Sequence, residues 1–304
     1  MFGIIRTLRP NCSTMKKLFY FPVVLMVCLS MASCSEDKKN SGDVSEVEEQ
    51  PEDTTANDGD FEESEDQSFI MPSPMQVADL LNSSGLVWSD GLTNDLNNVS
   101  KYTSEMKKAI NFGVYSMDLA YAVLNNRSTE SQSYLKAVRE LAIETGLDEI
   151  FNSEDLVNRF ESNLGNKDSI FPLLFEIHER TEMVLDNNDD RHKTVIHFAG
   201  AWLEGMFLGT RIATDKNNTE LGTAVVNQMV ILENMIKGLE GYPGANDELR
   251  AFAAKLKVIL DTYYNFESVK SNADKDYLDP TLTDKELNIL KEKIVSLRTE
   301  IVTI

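Results

Sequence analysis

The chain has 304 residues, 42% of them hydrophobic, with 29 Lys and Arg against 50 Asp and Glu and a formal net charge of −21. That composition excludes collagen-like, wholly disordered and multi-span membrane chains, and it leaves room for one large core or two modest ones. The acidic balance also argues against a nucleic-acid partner, because binding a phosphate backbone takes clustered Lys and Arg.

The N-terminus reads as an address. Lys16 and Lys17 precede an uncharged apolar run from Leu18 to Ser33, and small residues stand just before Cys34. A positive start, an apolar middle and a small-residue end describe a secretory signal peptide, here residues 1–33. Sixteen residues at the helical rise reach only ~24 Å, short of a bilayer's hydrocarbon core. Either Met1 or Met15 can serve as the start. All three cysteines, Cys12, Cys28 and Cys34, fall in the first 34 residues, so cleavage before Cys34 leaves one thiol and no disulfide. Met31-Ala32-Ser33-Cys34 resembles the lipobox of bacterial lipoproteins. The resemblance implies acyl chains on Cys34 and a stable lipid anchor without a transmembrane helix. Ser35 in the second mature position resembles outer-membrane routing. Ser35-Glu36-Asp37 is similar to the acidic export tag of surface lipoproteins in Bacteroidota-type bacteria. The expected location is therefore the cell envelope, on the outer membrane.

Residues 34–70 form the next unit. From 35 to 70 there are 14 acidic residues, two lysines and very few apolar side chains. Such a segment cannot bury enough surface to offset its ordering entropy, so it is expected to be a disordered tether extended by its own charge. Calcium binding is the sharper alternative, but no regular ligand loop with a central Gly is present.

Residues 71–304 read as all-α. Helices are expected at 75–82, 101–125, 130–145, 153–163, 168–186, 192–213, 219–239, 247–266 and 283–303. Two apolar stripes carry the 3/4 spacing of packing helices: Leu249, Phe252, Leu256, Ile259, Tyr263 and Phe266, then Leu287, Leu290, Ile294, Leu297, Ile301 and Ile304. Thr283 to Glu286 reads as a capping box, and Ser153, Asp168 and Asn246 sit where N-caps belong. Gly146, Gly165 and Gly241-Tyr242-Pro243-Gly244 read as stops. Residues 267–282 should be the longest loop. Short connections favour antiparallel neighbours, hence a multi-helix antiparallel bundle, either one large bundle or two packed ones. A faint internal echo places an aromatic two residues after a Gly twice, as Gly113/Tyr115 and Gly200/Trp202.

The 192–213 segment is apolar around most of its circumference, so it should be a buried central helix. Its polar exceptions His197, Glu204 and Arg211 recur every seven residues and project from one side. The 101–125 segment offers a second seam of Lys108, Asn111, Tyr115, Asp118 and Asn125. The plainer reading turns both seams to water. The sharper one lines a polar cavity, with Asn111, Tyr115, Asp118, His197, Glu204 and Arg211 as ligand-binding residues and Asp118 and Glu204 as buried, perturbed carboxylates.

Known catalytic and metal motifs are absent. His178 and Glu182 share a helix face but do not form His-Glu-x-x-His, and two ligands do not make a metal site. The Gly-x-His-x-x-Glu motif of imelysin-type helical proteins is missing, since Gly200 follows His197 and Glu204 lies seven residues on. No Gly-x-Ser-x-Gly turn or Gly-rich phosphate loop occurs. The body most resembles a helical lipoprotein domain of Bacteroidota type. The expected role is non-catalytic binding of a small ligand or an envelope protein, with no cofactor. The alternative is a metal-dependent hydrolase around His197 and Glu204.

Overall fold

Two long helices cross at paired glycines, and the rest of the body is built around that crossing. The computed structural model describes residue 85 and residues 87–152, 154–187, 191–212, 218–272 and 280–303, all within one unit, Glu63–Ile304. The expected leader, Cys34, the expected acidic tether and the helix expected at 75–82 lie outside the described residues.

The helices are α1 (Glu105–Leu124), α2 (Ser128–Glu144), α3 (Glu154–Ser162), α4 (Lys167–Asn187), α5 (Arg191–Ile212), α6 (Asn218–Glu240), α7 (Asp247–Tyr264), α8 (Glu267–Lys270) and α9 (Asp284–Val302). Single 3-10 turns occupy Leu96–Lys101 and Asp148–Phe151. No strand occurs among the described residues, and the fold is all-α.

Local chemistry sets the ends. Helix α1 begins four residues later than the spacing predicts, because the Ser104 side chain accepts from the Lys107 N–H and caps it. Asn246 caps α7 in the same way, and Thr283 with Glu286 forms the expected capping box on α9. The cap expected at Asp168 belongs to Asn166, whose side-chain oxygen accepts from the Ser169 N–H. Asp168 lies in the first turn of α4, where its charge suits the helix dipole. Ser153 lies outside the described residues. Gly146 and Gly165 take the left-handed conformation, φ +78° and +87°, that ends a helix without a Cβ penalty. The expected loop 267–282 contains the one-turn helix α8.

The apolar side chains form two cores. One joins α5, α6, α7 and α9 with Met106, Ile110 and Tyr121 of α1. The other joins α2, α3 and α4 with Phe112, Tyr115 and Leu119 of α1. Helix α1 therefore contributes to both, and the body is two packed bundles sharing a helix. From Val195 to Thr210 every residue of α5 except Ala201 is buried, as its all-round apolar character requires.

At the crossing, a Cβ on Gly113 would overlap the His197 carbonyl oxygen and stand 2.7 Å from the Ala201 nitrogen. A Cβ on Gly200 would overlap the Ile110 carbonyl oxygen. The contact is reciprocal: each glycine meets a carbonyl three residues before the other glycine. The echo in the sequence, with both Gly113/Gly200 and Tyr115/Trp202 offset by 87 residues, thus marks the point where two backbones touch. Helix α4 packs against α1 and α5 at one crevice of this pair, and α9 packs against them at another.

Candidate functional site

The crevice at α9 holds the polar seams. Glu204 and Asp118 are fully buried, and Arg298 of α9 reaches across to them. Its Nε donates to Glu204 Oε2 at 2.8 Å and its Nη2 to Glu204 Oε1 at 2.9 Å, a bidentate pair. Nη2 also donates to the Leu92 carbonyl at 3.2 Å, and the guanidinium lies 4.4 Å from the centre of the Phe207 ring. Asp118 Oδ2 accepts from the Asn94 N–H at 3.0 Å. No donor among the described residues reaches Asp118 Oδ1, so a hydrogen bond between the two carboxyls requires a proton on Asp118.

The electrostatics agree with that placement. Burial, reinforced by the Glu204 charge, pushes the Asp118 carboxyl well above the usual range, and the Arg298 charge opposes the shift. Burial also raises Glu204, but Arg298 pulls it back through both charge and hydrogen bonds. Of the two carboxyls Asp118 is therefore the one that favours its proton, and Glu204 the one whose charge Arg298 balances.

Elsewhere on the α1 seam Lys108 pairs with Glu144 of α2 and Asn125 donates to the Tyr121 carbonyl, while Asn111, Tyr115 and neighbouring side chains bind segment 87–95 and the end of α9. Tyr115 donates to the Asp95 carbonyl at 2.7 Å, and Tyr134 of α2 donates to Thr93 Oγ1 at 2.6 Å. Asn111 donates to the Ile301 carbonyl at 3.3 Å, Lys107 to the Thr303 carbonyl at 3.1 Å and Tyr102 to the Val302 carbonyl at 3.3 Å. These bonds satisfy carbonyls that the end of α9 leaves open. Segment 87–95 lies along α1 as a strap: Trp88 stacks on Tyr121 at 4.9 Å, and Tyr121 donates to the Val87 carbonyl at 2.6 Å. Burial raises the Tyr115 and Tyr134 phenols, as expected for hydroxyls committed to such bonds.

The crevice at α4 is different. It is a groove of about 150 Å³, lined chiefly by apolar atoms of α1, α4 and α5. Phe112, Met117 and Leu124 of α1, Phe171 and Phe175 of α4, and Phe198 of α5 are among its lining residues. His197 also lines it, with its ring 5.0 Å from that of Phe112. On the α4 side His178 Nε2 faces Glu182 Oε1 at 3.5 Å, the two residues one turn apart and part-exposed. The Ser116 and Thr181 hydroxyls that border the groove donate to carbonyls one turn back in their own helices.

The middle of the two seams thus neither faces water nor lines an open cavity; α9 and the strap cover Asn111, Tyr115, Asp118 and Glu204. The structure brings Asn111, Tyr115, Asp118 and Glu204 together in that covered crevice. His197 lies instead in the groove. Arg211 is exposed at the last turn of α5 and does not approach Glu204. The cation that Glu204 needs comes from Arg298, which sequence reasoning missed. One signal pointed to it: Arg298 directly follows the core residue Leu297, at the margin of an otherwise apolar stripe. Among the described residues no group of three or more His, Cys, Asp or Glu is close enough to hold a metal ion, and no helix is long and apolar enough to cross a membrane. No family model, curated protein or solved structure matches the chain.

Proposed function

We propose that the protein is a cell-envelope lipoprotein, held to the outer membrane by acyl chains on Cys34, whose helical body binds a small apolar molecule in the groove between α1, α4 and α5. The groove carries the binding half of this reading: it is an open, apolar, aromatic-walled concavity of about 150 Å³ in a body whose other crevice is filled by its own side chains. Concave apolar surface with a few polar groups at its edge is the usual form of a small-molecule site. The anchoring half rests on the lipobox-like Met31-Ala32-Ser33-Cys34 and on the acidic stretch that follows it.

Two measurements test the two halves separately. Cells fed an alkyne fatty acid should label the wild-type protein, and Cys34→Ser should remove both the label and the membrane fractionation. A Cys34→Ser chain that stayed labelled and membrane-bound would end the lipoprotein reading. For the groove, the mature polypeptide from residue 34, carrying Cys34→Ser and so free of lipid, is titrated with ethylbenzene. Chemical-shift changes should appear at the Met117 and Leu124 methyl groups. An unchanged spectrum up to the solubility limit of ethylbenzene would end the binding reading.

A further inference from the structure

We propose that the groove between α1, α4 and α5 selects a neutral, single-ring phenol-type molecule, its ring among the phenylalanines and its hydroxyl at Glu182 and His178. This deepens the binding reading above and rests on it.

Size comes first. A closed apolar cavity of roughly 150 Å³ accepts benzene, and this groove offers about the same volume with an open side. One ring with a short alkyl substituent fits. A sterol or a two-chain lipid exceeds the space.

The walls decide ring over chain. Phe112, Phe171, Phe175 and Phe198 come from all three helices and surround the space, and the His197 ring sits tilted against Phe112. Aromatic walls favour an aromatic guest through edge-to-face and offset contacts that an alkyl chain of equal area cannot make. Phe175 remains 43% exposed, one of the large apolar side chains that the body leaves open to solvent. A ring seated in the groove would cover part of it.

The rim decides the polar group. The hydroxyls of Ser116 and Thr181 are committed to their own helices; of the other polar side chains at the groove, Thr194 stands on α5, and the His178–Glu182 pair on α4 supplies the carboxylate. A carboxylate is an acceptor only, so it takes a donor. A guest hydroxyl can donate to Glu182 and also share a hydrogen bond with His178. A guest carboxylate would meet the Glu182 charge and a chain of net charge −21.

The test uses the mature Cys34→Ser chain and three probes of matched size: 4-ethylphenol, ethylbenzene and 4-ethylbenzoate. A hydrogen bond to a charged group predicts that 4-ethylphenol binds about tenfold more tightly than ethylbenzene, with 4-ethylbenzoate weakest. Glu182→Ala should bring 4-ethylphenol to within about threefold of ethylbenzene and leave ethylbenzene unchanged. Ala120→Phe, which fills the groove from α1, should abolish binding of both while keeping the helical circular dichroism signal; Ala201→Leu does the same from α5 should the first variant fail to fold. Equal affinities for 4-ethylphenol and ethylbenzene would overturn the phenol inference and leave the groove reading standing. The phenol inference falls in the same way if 4-ethylbenzoate binds best, or if the preference survives Glu182→Ala. Absence of binding by all three would overturn both, as would binding that persists in a folded groove-filled variant.

Discussion

The two crevices beside the α1–α5 crossing are made by the same pair of helices and have opposite characters. At α9 the crevice is polar and closed: Arg298 enters it, Glu204 accepts two of its hydrogen bonds and the Leu92 carbonyl a third, and the strap at 87–95 covers the outside. At α4 it is chiefly apolar and open, with His178 and Glu182 among its lining residues. The polar residues here hold the protein's own segments together, while the apolar walls leave space for something else. Buried charge therefore marks the filled crevice of this body and not the open one. A carboxylate out of water needs a cation with good geometry, and once it has one it has little capacity left for a guest.

The contrast can be broken at three points, in decreasing order of effect. Gly113→Ala strikes the crossing that both crevices share. Its Cβ meets backbone atoms of α5 rather than a flexible side chain, so relief requires the helices to separate. A stability loss of roughly 3 kcal/mol or more is expected, visible as a large fall in the urea midpoint; a loss under ~1 kcal/mol would mean the helices can part easily. Arg298→Met strikes only the closed crevice. It leaves Glu204 buried without its cation, and a loss of about 3–5 kcal/mol is expected, at or just below that of the glycine variant. Adding Glu204→Gln should restore much of it, since the double variant buries no net charge; a double variant no better than the single would show that packing, not charge, set the loss. Neither arginine variant should change affinity in the groove by more than about twofold, because the two crevices have no charged residue in common.

Asp118→Asn is the smallest perturbation and sharpens the electrostatic account. Asp118 holds its proton more tightly folded than unfolded, so the folded state binds more protons and stability falls as pH rises from about 4 toward the raised folded value. Asparagine keeps an acceptor for the Asn94 N–H, presents a donor to Glu204 and does not titrate. The variant should therefore gain on the wild type as pH rises from about 4 to 8. Parallel stability–pH curves for the two proteins would place the proton elsewhere.

Much of this architecture could be read from residue spacing. The stripes on α7 and α9, the capping box at Thr283 and the all-round apolar α5 carry local signals, and each helix expected from residue 101 onward is present. The site was less legible. The polar seam of α1 was visible, but its partners were not, because Leu92, Asn94 and Arg298 are brought to it by tertiary packing and no helical period links them to Glu204 94 residues before Arg298. The groove was invisible for a related reason. Phe112, Phe171 and Phe198 each look like core residues in sequence, and only the way α4 lies against the crossing shows that they border open space.

The reciprocal glycine contact has a consequence for how the chain can be divided. Residues before α5 and residues from α5 onward each press a backbone carbonyl into the other's glycine, and α1 spends one flank in each core. Severing the polypeptide ahead of α5 would yield two fragments, each with an exposed greasy flank whose natural cover is its sibling. Co-expressed, such fragments should reassemble without a covalent join, as interlocked hooks that neither piece can form alone.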